Sequence, residues 1–232
     1  MTSPKSVTTP ARDQFLRGRL VGAAAIVFAL LVLTENVLFT VVGAPGYDSP
    51  IEDVLAYYAA NGPAVGIVAA LVALYLPLLL VFVTGLHGLV ERRGGAGADW
   101  SRLAIAAGAA VSAIFVLVNV LQIGLALSAR GLAESTFAFE LIWQIHAAAF
   151  AMVLPMLGAT GIGTALAAHA NGLTPAWQRV LGLMAGCLLL TAGLGAFAIA
   201  DGSPLIFVGL LGLAAWLVWL LVTGARLIRG NR

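Results

Sequence analysis

The feature that most constrains this 232-residue chain is where its charges are missing. Six apolar runs, near residues 20–42, 64–89, 103–127, 140–167, 180–200 and 205–227, contain almost none. About 20 helical residues cross a ~30 Å hydrocarbon core, and each run is long enough. The runs are continuous rather than alternating, which favours helices over a barrel. Charged residues make up 9% of the chain and hydrophobic ones 61%, whereas a soluble domain is about a quarter charged. The expected fold class is therefore all-α, a polytopic membrane helical bundle of six transmembrane helices.

Residues 1–17 are polar, with Pro4 and Pro10, and read as a disordered cytoplasmic tail. Residues 18–229 form the six-helix transmembrane domain. The basic residues set its orientation. Of the 12 Lys and Arg, 11 fall on one side of the alternating spans, and only Arg130 falls on the other. The positive-inside rule puts the 11, and both termini, in the cytoplasm of a bacterial inner (plasma) membrane. Asp48, Glu52, Asp53, Glu134 and Asp201 then lie outside. The first run holds Glu35 and Asn36 and is long for a signal peptide, so it reads as a retained span.

The one long external loop precedes the second span. Ser49-Pro50-Ile51-Glu52 reads as a helix start, with Ser49 as cap, Pro50 at the first helical position and Glu52 completing a capping box. Ile51, Val54, Leu55 and Tyr58 follow at helical spacing, giving one apolar stripe on an external amphipathic helix at residues 50–60. Asn61-Gly62-Pro63 ends it. The stripe faces either lipid or the top of the bundle.

A faint internal repeat runs through the spans. Leu76-Pro77-x-Leu79 followed by Gly85 matches Leu154-Pro155-x-Leu157 followed by Gly163, and Trp100-x-Arg102 matches Trp177-x-Arg179. Spans two and three would then duplicate spans four and five as a parallel repeat.

Polar groups inside apolar runs are the candidate site. Glu35 lies about 6 Å beyond the middle of span one, toward the outside. A carboxylate at such depth costs on the order of 3 kcal/mol, so Glu35 is expected to face the bundle, find a partner or be protonated, and an ionisable group there is a functional candidate. Asn119 and Gln122 sit three apart on one face of span three, and His146 lies in the same half of span four. Together Glu35, Asn119, Gln122 and His146 form a candidate intramembrane polar cluster. Interhelical hydrogen bonding alone would also explain it. His87 and His169 raise a haem ligand pair, but both lie at the cytoplasmic side and His146 has no opposite number. Gly182-x-x-x-Gly186 and Gly158, Gly161 and Gly163 suit close helix packing. Cys187, the single cysteine, reads as a buried inert thiol.

No P-loop, nucleophile elbow or HExxH motif is present, and the loops are too short for a nucleotide-binding unit. The sequence points to no catalytic residue, cofactor, metal or nucleic acid. The expected partner is the lipid bilayer, with a homo-oligomer or another membrane protein as an open alternative. The Ala/Gly/Leu/Val-rich spans, the Leu-Pro-x-Leu pieces at Leu76 and Leu154 and the Trp-x-Arg turns at Trp100 and Trp177 resemble the small uncharacterised multi-pass membrane proteins of high-GC actinobacteria. That resemblance implies an inner-membrane location and nothing about substrate. Three functions compete. One is transport of a small solute or proton, or assistance to such a transporter. The second is a structural or regulatory subunit of a membrane complex. The third is a haem or redox protein.

Overall fold

The computed structural model describes residues 10–230, with side chains from residue 16 onward. Eight helices follow in order: α1 (Pro10–Val41), α2 (Ile51–Ala60), α3 (Gly62–Arg92), α4 (Ala98–Ser128), α5 (Phe137–Ala170), α6 (Ala176–Leu194), α7 (Ala196–Ala200) and α8 (Ile206–Arg229). There is no strand among the described residues. All but α2 and α7 are long and apolar enough to cross a membrane. The helix α1 begins inside the segment expected to be a tail; for residues 1–9 that expectation lies outside the described residues.

Each span packs on the next in chain order, and α8 returns to α1, closing a ring of six. Across the ring, α5 also touches α3 and α8. Leu74, Val120 and Met184 face outward with no protein cover, a surface that hydrocarbon tolerates and water does not. Phe82, Leu86, Trp216, Trp219 and Leu220 are fully buried. Truncating residues of this size leaves a void, at about 3–5 kcal/mol for an aromatic ring.

Lipid tails are as apolar as leucine, so hydrophobic burial does not hold spans together; close packing does. Two glycine contacts show it. A Cβ on Gly22 of α1 would lie 2.5 Å from the Gly224 carbonyl of α8, and one on Gly224 would lie 2.6 Å from the Gly22 carbonyl. A Cβ on Gly158 of α5 would lie 2.7 Å from the Gly186 carbonyl of α6. Both crossings bring backbones together where no side chain fits.

The two ends of the ring differ. At the end carrying the termini, the α3–α4 and α5–α6 connections meet: the Arg93 guanidinium donates to the Asn171 carbonyl at 3.1 Å, and the Asn171 amide donates to the Ala96 carbonyl. At the opposite end, here the α2 end, the α1–α2 loop lies against the turn before α8. A Cβ on Gly202 would fall within 3.0 Å of Asp48 atoms.

Three local expectations need correction. First, the helix α2 starts without a side-chain cap. Pro50 itself is the capping residue, its backbone extended, and its carbonyl accepts from Asp53 and Val54. Ser49 is used one residue earlier, in a turn closed on Gly46. The apolar stripe does face the bundle: Val54, Leu55 and Tyr58 are buried, joined by Tyr57, against Leu125, Phe139 and Trp143. The expected stop is observed, since the Asn61 backbone and side-chain amides both donate to the Tyr57 carbonyl. Second, the run at 180–200 is not one helix. It breaks at Gly195, where the Leu205 side chain occupies the space a Cβ would need. Third, Cys187 is exposed on the outer face of α6 rather than buried.

Candidate intramembrane cavity

The ring is filled near its middle but open at the α2 end, where it encloses a cavity of about 610 Å3. Helical periodicity decides which residues meet it. Phe28, Val32, Glu35 and Phe39 recur along one stripe of α1 and all line it. Val111, Phe115, Val118 and Gln122 do the same on α4, with Asn119 beside Val118. Trp143, His146, Phe150 and Val153 supply the α5 wall. Leu79, Leu157 and Trp216 make the floor, and residues 44–48 and 202–204 make the roof.

All four polar residues singled out by sequence line this cavity. Glu35 is 6% exposed. The polar side chain that interacts with its carboxyl group is the Tyr75 phenol of α3, not the expected Asn119, Gln122 or His146. Gln122, also 6% exposed, interacts with the Tyr58 phenol of α2. Asn119 donates its amide to the Ala69 carbonyl at 3.4 Å, which leaves its Oδ1 buried and unpartnered. His146 is 7% exposed, stacks on Trp143 with ring centroids 5.3 Å apart, and has no partner for Nδ1. Asn36 lies at the edge, its amide bonded to the Val32 carbonyl.

Sequence reasoning missed the aromatic lining. Tyr47 rises from the α1–α2 loop and packs on Trp143, His146 and Phe150 at 5.1–5.9 Å. Tyr75 packs edge-on against Phe28 and Phe115. A tyrosine in an apolar run carries a signal of its own, because its hydroxyl needs a partner once buried. Outside the spans, burial pushes the Tyr47 and Tyr58 phenols well above the ordinary tyrosine range, with a smaller push from a neighbouring phenol in each case. Both therefore remain neutral donors.

The cavity's ionisable carboxyl groups are Glu35 and Asp48, and no Lys or Arg lines it among the described residues. Arg130, the basic residue of this end, lies instead beside Gly62. The histidines weighed as haem ligands are engaged elsewhere. His87 Nδ1 pairs with the Ser101 hydroxyl at 2.8 Å, and His169 Nδ1 with the Thr174 carbonyl at 3.1 Å, both at the terminal end. No group of three His, Cys, Asp or Glu among the described residues could hold a metal ion.

Fold and cavity together define a class: a multi-pass helical membrane protein with a polar-tipped, aromatic-walled cavity at one end of a six-helix ring. No protein-family model, curated protein or solved structure matches the chain.

Proposed function

We propose that this chain is a plasma-membrane protein, both termini cytoplasmic, that binds a small solute in the external half of its helix ring and carries it or assists its carrier. One observation carries this reading: Glu35, Asn119, Gln122 and His146, from three different helices, turn toward a single cavity. Its volume of about 610 Å3 suits a small molecule. A buried carboxylate in a span is costly enough to imply a use, and a roof of two loops supports a route to external water. The distribution of Lys and Arg supports the orientation. The glycines suited to close packing meet neighbours inside the ring, Gly158 with Gly186 and Gly182 with Ala165, which supports the solute reading over a structural or regulatory subunit.

Cavity access tests the proposal. In a Cys187→Ser background, Asn119→Cys is treated in intact cells with a small membrane-impermeant methanethiosulfonate. Rapid labelling is expected. No labelling by it, alongside full labelling by a permeant analogue, would mean a cavity closed to external water and would overturn the reading.

A further inference from the structure

Resting on that reading, we infer that the cavity's occupant is a lipophilic organic amine in its protonated form, with one cationic N–H group and an apolar or aromatic body. The recognition groups are acceptors. The Glu35 carboxyl group, beside the Tyr75 phenol, has lone pairs to accept from a donor. Asn119 Oδ1 is buried with no donor at all, a state that costs free energy until something donates to it. Asp48 adds a second carboxyl group at the roof, and among the described residues no Lys or Arg lines the cavity to compete for either.

The walls fit the rest of such a molecule. Phe28, Tyr47, Tyr75, Phe115, Phe150 and Trp143 present ring faces and edges around the acceptors. Aromatic faces attract a cation as well as an apolar body. An anion would meet Glu35 and Asp48 with no compensating charge. A sugar or other polyol would leave most of its hydroxyls against hydrocarbon side chains, an uncompensated desolvation. His146, stacked on Trp143 with Nδ1 free, offers one further polar contact.

The edge of the cavity also selects for lipophilicity. Asn36 and Phe39 of α1 and Phe207 and Leu210 of α8 line it while reaching the outer surface; Phe207 is 66% exposed. The helices α1 and α8 touch closely at Gly22 and Gly224, in the other half of the ring. At the α2 end, surface-reaching residues of both helices border the cavity on its lipid side, where an amphiphilic amine concentrates.

Binding to purified full-length protein in nanodiscs tests this, with empty nanodiscs subtracting partition into lipid. The probes are 4-phenylbutylammonium, its trimethylammonium analogue, the alcohol 4-phenylbutanol and the anion 4-phenylbutanoate at neutral pH. The primary ammonium is expected to bind about tenfold tighter than the alcohol, the typical worth of a charge-assisted hydrogen bond. Glu35→Gln should abolish that preference. Asn119→Leu should weaken the primary ammonium but not the trimethylammonium, which has no N–H to give; this variant serves if Glu35→Gln does not fold. Alcohol or carboxylate binding as tight as ammonium binding would overturn the amine assignment while leaving a solute cavity in place. If no probe binds above empty nanodiscs, the cavity reading falls with it.

Discussion

Gly224 and Gly66 are the same residue under opposite constraints. A Cβ on Gly224 would press on the Gly22 carbonyl and the Ile26 side chain, whereas one on Gly66, exposed on α3, would meet nothing within 4 Å. Gly224→Val should therefore push α8 off α1 and cost about 1–3 kcal/mol. Gly66→Ala should add about 0.5–1 kcal/mol, since glycine is a poor residue in a helix interior. Unfolding in mixed micelles would measure both, and equal stability for Gly224→Val and the native protein would refute the crossing. The sequence announces some of these positions and hides others. Gly182-x-x-x-Gly186 is a local pattern and was legible; Gly22 and Gly224 pair across the whole chain and leave no pattern to read. Glu35, Asn119, Gln122 and His146 stood out because a polar group in an apolar run is expensive. Tyr75 and Tyr47 did not: one looks like ordinary packing, and the other lies in a loop outside every run.

Among the elements, the existence of the six spans was plain from composition, because a bilayer leaves the chain little alternative to helices. Their details depend on neighbours that the sequence does not announce. The run at 180–200 carries no proline, and its break at Gly195 follows from where Leu205 lands after the next turn. The stripe of α2 was readable from its spacing, but not the tyrosine Tyr57 added to it, nor the use of Pro50 as its own cap. The pair α1 and α8 yields a prediction at this scale. If solute reaches the cavity between their α2-end halves, joining Asn36→Cys to Leu210→Cys with a short bis-maleimide, in a Cys187→Ser background, should lower amine binding at least several-fold. The same reagent across Arg92→Cys and Ala170→Cys, at the terminal end, should leave binding intact. Unchanged binding after complete cross-linking of the first pair would place the entrance at the loop roof instead.

For the whole molecule, closure of the ring by α8 on α1 was not legible, since hydropathy gives span order but not which distant helices meet. The suggested duplication of α3–α4 in α5–α6 rests on the sequence pattern alone, although Pro77 and Pro155 both sit inside their helices and Trp100 and Trp177 both lie exposed in first turns. What the fold adds to the charge count is a consequence. Because the loops of each end are in contact with one another, the bundle has one orientation as a body, and the cavity mouth must share the side of Arg130. The basic residues at the opposite end, Arg92, Arg93, Arg102 and Arg179 among them, would have to cross the membrane for the bundle to invert. Ala133, in the α4–α5 loop, and Ala96, in the α3–α4 loop, are exposed and lie at opposite ends. With Cys187→Ser as background, an impermeant maleimide should label Ala133→Cys in intact cells and Ala96→Cys only after permeabilisation. The reverse pattern would turn the bundle over, open the cavity to the cytoplasm and convert the Glu35 site from one that receives solute outside to one that receives it inside.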